Sequence, residues 1–400
     1  ISGLASVAKG ELIFDNVVQT TKLSTMAMSG EDSKITIQNQ SKILTNSSVE
    51  LSSGNLSMDS STMSVNGEAT LDGTINLSFD NLSSLQAQGN LTLGGSGKIS
   101  IHDSLLTSQG SLTYNGSGAF ELFNSTLSTQ GLLTFEGSAG NTPFTLSGVT
   151  LQATDSVIFN RKSELLSENS GQKNTITANN LAINADLNIQ NAALDIYNNT
   201  TLRADFHVLN SSGNSSLGNI QLNTHDMSLE GLGVAPDKLF NLVGSVSDTQ
   251  EGAGSLSLTY TALRGDVTLT KDTLNVSNSA VISGTVTMNG GQLNIDRHNE
   301  FRNLYLSGDI GMNLLRGAPE SDSYLIAQNT YLTGGSTTIG EGVHLNTAMW
   351  IQGGASLTLS GTVGVGVTSD GDRTSGGVTI QNGSLSLTNG AEIAGTLTFS

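Results

Sequence analysis

The amino-acid sequence predicts an all-β chain: a right-handed, single-stranded parallel β-helix, or β-solenoid, with about 21 residues per coil and three short strands in each. Three observations carry this. Segments align without gaps at a spacing of about 21 residues. Apolar residues come in pairs two positions apart. Gly is abundant, at 47 residues, whereas Pro is nearly absent, at 3.

The repeat is clearest in the first half. Leu85, Leu106 and Leu127 form one set of equivalent positions, Gln88, Gln109 and Gln130 a second, and Gly89, Gly110 and Gly131 a third. Leu91, Leu112 and Leu133 follow, and then Gly95, Gly116 and Gly137. The pattern drifts but persists: Leu151 to Phe159 matches Leu127 to Phe135 at a longer offset, and Val267 to Met288 aligns with Val378 to Phe399. A period of this size in a chain of 400 residues reads as stacked supersecondary units rather than two or three globular domains.

Each period holds its apolar residues as Leu91/Leu93 then Ile99/Ile101, succeeded by Leu112/Tyr114 then Phe120/Leu122. A weaker third pair follows, as in Leu85/Ala87 and Leu106/Ser108. Spacing by two puts both members on one face of a strand, so Thr92, Thr113 and Thr134 between them face outward as a ladder. Coils that hydrogen-bond at about 4.8 Å place equivalent residues on top of one another. The Gln88, Gln109 and Gln130 set is expected as a stacked amide ladder at a corner, with the Gly that follows each supplying positive φ. Scarce Pro fits strands that are nearly all central. A leucine-rich repeat, a left-handed hexapeptide helix, a propeller and helical repeats each require a pattern this chain lacks.

The expected organisation is one continuous solenoid over residues 1–400, with loop insertions near 163–174, 210–219, 231–254, 311–323 and 366–377. The stretch from Ala235 to Val243, with Pro236 near its start, has the residues for a short helix or a capping turn. The chain begins at Ile1 and ends mid-pattern at Ser400, which reads as a fragment of a longer protein.

Composition narrows the function. A net charge of −18, with no Lys or Arg between Lys98 and Arg161, argues against a nucleic-acid partner. The absence of Cys removes disulfide and thiol chemistry and fits export through an outer-membrane pore. No run of about 18 apolar residues is present, so no segment is expected to insert in a membrane as a helix.

Candidate chemistry is sparse. Asp296, Arg297, His298, Asn299 and Glu300 form the densest charged cluster. It could serve acid/base cleavage of glycosides, which needs two carboxylates, but it reads better as a charged turn between Leu293/Ile295 and Phe301. His102, His207, His225, His298 and His344 show no zinc spacing, and His207 is expected to point outward beside Val208. Asp370 and Asp372 flank a Gly as a fragment of a calcium loop. No catalytic, cofactor-binding or metal-binding residue is assigned, and no enzyme activity is expected.

A cysteine-free, Ser/Thr/Asn/Gly-rich chain with paired apolar residues and Gly corners at this period resembles the passenger domains of Gram-negative autotransporters, over essentially its whole length. Two-partner secreted filamentous adhesins share the architecture. The resemblance implies an extracellular adhesin or self-association stalk on the bacterial cell surface. Its partners would be host cell-surface glycans, extracellular matrix proteins or further copies of itself, and it would need no cofactor. A carbohydrate-active β-helix enzyme, a phage tailspike and a purely structural surface stalk are the alternatives.

Overall fold

The computed structural model describes residues 3–17, 21–137, 144–167, 172–250, 252–315, 324–360, 362–364, 377–388 and 390–400. The chain is an all-β parallel solenoid with about 21 residues between equivalent positions of successive coils. It divides into two compact units, Ile1–Asn198 and Asn199–Ser400. Among the described residues no helix is long and apolar enough to cross a membrane.

In the first unit a coil is three short strands. Asn76–Asp80, Ser84–Ala87 and Leu91–Leu93 are followed one coil on by Ile99–His102, Leu105–Ser108 and Leu112–Tyr114. Each pairs in parallel with its successor: Leu77 with Ile99, Leu85 with Leu106, Leu91 with Leu112. The period-2 pattern decides which side chains enter. Leu91, Leu112, Leu133, Leu106 and Leu127 are fully buried, and the residues that alternate with them point away from the core. Full burial of one such Leu stabilises by about 1.5–3 kcal/mol, repeated in every coil.

Three corners close these coils, and the one before each coil's first strand uses Gly at positive φ, as at Gly54, Gly73 and Gly95, with φ 93°, 76° and 81°. After the strands Ser33–Gln38, Asn55–Asp59, Asn76–Asp80, Ile99–His102 and Phe120–Phe123 the chain turns through Asn39, Ser60, Asn81, Asp103 and Asn124, with φ between 47° and 57°. Short polar side chains tolerate this region because they hydrogen-bond locally. Next to each stands a buried serine: Ser41, Ser61, Ser83, Ser104 and Ser125. Every one of these hydroxyls donates to a carbonyl two or three residues back, and Ser104 N–H donates to Ser125 Oγ at 3.0 Å.

The remaining corner follows Gln88, Gln109 and Gln130, and here the structure corrects the sequence reading. Gly89, Gly110 and Gly131 do not adopt positive φ. Their requirement is close approach between coils. A Cβ on Gly110 would lie 2.4 Å from Asn90 Oδ1 and 3.0 Å from the Asn90 nitrogen, and one on Gly131 would lie 2.9 Å from the Gly110 carbonyl oxygen. The space a side chain would fill is taken by the backbone bonds Gly110 N–H to Gly89 C=O, 3.2 Å, and Gly131 N–H to Gly110 C=O, 2.8 Å.

In the second unit some strands run on through the corners. Val281–Asp296 and His298–Leu314 pair in parallel from Val281–Glu300 to Ile295–Leu314, and the register shifts between Ile282 and Thr285 and between Asn289 and Gly291. Bends that a three-strand coil makes by breaking the ladder are made here within it.

The expected insertions fare differently. Residues 210–219 lie mostly in strands, Phe206–Ser211 and Gly213–Gln221, because Ser215, Leu217 and Ile220 turn inward despite the Ser/Gly-rich composition. The stretch 231–254 contains the strand Phe240–Asp248. Its Pro236 sits in a hydrogen-bonded turn rather than a helix, with Lys238 N–H donating to Ala235 C=O at 2.8 Å and Leu232 N–H to Lys238 C=O at 2.8 Å. Ser163–Leu166 and the start of Asn174–Ile183 are strand within 163–174, as is the Gly311–Leu314 part of 311–323. Residues 168–171, 316–323 and 366–376 lie outside the described residues.

Candidate ligand-binding face

Because pairing is parallel and in register, outward residues repeat as columns. In the first unit Thr70, Thr92, Thr113 and Thr134 are successive partners, which is the expected threonine ladder with one further member, although Thr134 is itself largely covered. Amides and hydroxyls flank it, with Asn90 Nδ2 donating to Glu68 Oε1 at 3.2 Å. The Gln88, Gln109 and Gln130 side chains are exposed, but no amide-to-amide bond joins them among the described residues. Gln130 Oε1 instead accepts from Thr154 Oγ1 at 3.1 Å.

The second unit carries a column of different character. Ser247, Thr268 and Thr287 are succeeded by Tyr305, Tyr331 and Trp350, and then by Thr379. The rings of Tyr305 and Tyr331 stack with centroids 4.6 Å apart and planes 18° from parallel. Tyr331 and Trp350 stack at 4.9 Å and 16°. The spacing matches that of the strands themselves, about 4.8 Å, so the backbone ladder sets the stack. Buried Leu304, Leu306, Leu332, Met349 and Ile351 alternate with the aromatics and fix their outward direction. Tyr305 is 37% exposed. Polar side chains border the stack: Asn329 Nδ2 donates to Asn303 Oδ1 at 3.0 Å on one side, and Ser307 Oγ to Asn289 Oδ1 at 3.4 Å on the other.

Rings stacked in this way cover one another's faces. What remains open is their edges and the outer face at each end of the stack. Toward Thr287 the neighbour is a short side chain, so the Tyr305 ring stands clear of it. Such a surface can hold an amphipathic ligand, apolar against the ring and hydrogen-bonded to the flanking amides and hydroxyls.

Sequence reasoning missed these aromatics. The interval from Tyr305 to Tyr331 is longer than the period of the repeat, and the interval from Tyr331 to Trp350 is shorter. The register shift between Ile326 and Asn329, and the number of residues that precede Tyr324 in the sequence, hide their equivalence. A second column was hidden likewise: His298, Tyr324 and His344 are successive partners, and the His298 and Tyr324 rings stack at 4.7 Å. Thus two of the histidines do share a column, two coils apart.

The charged cluster is a corner. Asp296 ends one long strand, Arg297 turns with φ 58°, and His298 begins the next. Asn299 is fully buried, and His298 Nε2 lies 2.9 Å from Glu300 Oε1. The other histidines find separate surroundings. His102 Nδ1 is 3.7 Å from Asp80, His225 Nδ1 is 3.9 Å from Asp205, and His207 faces out to Ser228 Oγ at 2.7 Å. Among the described residues no three metal-ligating side chains gather. Asp370 and Asp372 lie outside the described residues.

One buried carboxylate stands apart. Asp272 has no solvent exposure, and its Oδ2 accepts from Thr270 N–H at 3.3 Å. Burial, and next the charge of Asp248, push its pKa up to about 6. Asp248 is itself buried but well bonded, accepting from Thr224 N–H at 2.6 Å and Gln250 N–H at 3.0 Å.

Compared with known proteins, the chain matches no family model, no curated protein and no solved structure.

Proposed function

We propose that this chain is the adhesive stalk of a bacterial surface protein of the autotransporter-passenger kind, displayed outside the cell and binding glycans through its outward columns. The observation that carries the reading is the Ser247–Thr268–Thr287–Tyr305–Tyr331–Trp350 column, in which hydroxyls give way to stacked aromatics bordered by amides. Soluble β proteins normally bury large aromatics, and an outward-facing run of them, exposed at Tyr305 and half-buried at Tyr331 and Trp350, among hydrogen-bonding groups is the composition of a recognition surface. Weak contacts repeated along a column at fixed spacing gain affinity by multivalency when the partner is itself a polymer.

The reading is tested with the purified chain on cells. Labelled chain is expected to bind bacterial or host cell surfaces, and unlabelled chain to compete. Retention on neither kind of cell, with no competition for aggregation of cells that display the chain, overturns it.

A further inference from the structure

We propose that the open face of Tyr305, above Thr287 and Thr268, is a subsite for a neutral pyranose ring. The proposal rests on the adhesive reading and names the ligand class and the position.

The geometry starts from the stack. Tyr331 covers one face of Tyr305 at 4.6 Å, so a ligand can reach only the other. On that side the next two residues of the column are Thr287 and Thr268, one half-buried and the other exposed. Neither has the length to reach the outer part of the ring. A shelf about two coils long, on the order of 10 Å, therefore lies in front of the Tyr305 face. Its floor is two hydroxyls. One side is bordered by Thr285 and Asn303, successive partners two positions before Thr287 and Tyr305, and the other by Asn289 and Ser307, two positions after.

The ligand class follows from what these groups accept. An aromatic face is electron-rich and apolar, and it packs against the C–H face of a sugar ring. Hydroxyls and carboxamides at the rim can donate to and accept from equatorial sugar hydroxyls at once. A flat aromatic ligand would satisfy the ring but leave the amides and threonines unanswered. An anionic sugar would approach a chain of net charge −18 at a disadvantage. A neutral hexopyranose within a longer glycan satisfies both the wall and the rim.

The test uses the whole chain on a printed panel of neutral hexopyranose oligosaccharides beside sialylated and sulfated ones. Thr287→Arg lays a guanidinium plane against the open Tyr305 face without touching the core, since residue 287 points outward. Thr358→Arg makes the same change at an outward position of the strand Ser356–Leu359, away from the shelf. The native chain is expected to retain neutral glycans, Thr287→Arg to lose at least tenfold in affinity with an unchanged melting temperature, and Thr358→Arg to stay within about threefold. Native-like binding by Thr287→Arg overturns the subsite and leaves the adhesive reading standing. Absence of neutral-glycan binding by the native chain, alongside persistent attachment to cells, also overturns the subsite. Trp350 is the chain's single tryptophan. A shift of its emission on titration that survives Thr287→Arg would place the ligand at the opposite end of the stack, and that result too overturns the proposal.

Discussion

The Asn299 amide nitrogen donates to the Asp296 carbonyl oxygen at 2.9 Å, while its Oδ1 accepts from the Ala280 N–H of the preceding coil at 3.0 Å. One fully buried side chain thus holds a corner closed and ties it to its neighbour. Thr261 stands two coils earlier in the same set of partners and does similar work, its hydroxyl donating to Thr259 and Leu229 carbonyls at 3.0 Å. Asn299→Ala should cost about 1–3 kcal/mol, because it strands buried backbone groups. Asn299→Thr should recover part of that. Urea unfolding of the three proteins measures both.

Asp272 gives a pH dependence whose sign is fixed by its raised pKa. The folded form holds a proton up to about pH 6, whereas an unfolded Asp releases it near 3.8. Its contribution is therefore fully favourable below about pH 4 and is lost as pH rises through 6. Asp272→Asn should stabilise the chain by about 1–3 kcal/mol at pH 7 and make little difference at pH 4. Paired unfolding curves at the two pH values check this; equal gains at both would refute it.

Gly118 lies where a Cβ would fall 1.9 Å from the Gly97 carbonyl oxygen, and the obstacle is backbone. Gly118→Ala should then destabilise by about 2–4 kcal/mol, the cost of forcing coils apart. Gly354, whose Cβ would meet nothing within 4 Å but whose φ is 80°, should lose only about 1 kcal/mol on the same change, from backbone strain. Thermal melts of both variants rank them.

Leu112 is wholly buried between Leu91 and Leu133, so Leu112→Ala should cost about 2–5 kcal/mol. Thr113→Ala, one position on and facing out, should change stability by less than about 0.5 kcal/mol. Differential scanning calorimetry on this pair tests the inward and outward assignment directly.

Legibility in the sequence followed from how strongly physics constrains each position. Inward pairs such as Leu91/Leu93 could be read because burial admits few residue types and repeats them. The serine column from Ser41 to Ser125 could not, because in a serine-rich chain a buried hydroxyl looks like an exposed one. In the sequence Gly110 reads as a corner for which positive φ is the natural reason, whereas close approach of the next coil is the actual one. Positive φ and close approach both select Gly, and only coordinates separate them. The aromatic stack escaped altogether: its members are equivalent in space but not in count.

That last mismatch has a consequence for how such a chain can change. Leu127 meets Leu151, Leu106 meets Leu127, and Val286 meets Leu304. Each pair is a single step along the stack, yet the chain between partners is longest in the first and shortest in the last. Register is kept in each, so the number of residues between partners can change without altering which side chains stand together, or how far apart they sit. Outward side chains are mounted on a ruler whose graduation of about 4.8 Å is set by hydrogen bonding rather than by sequence length. Variation can then exchange what stands at each mark while the marks themselves stay fixed.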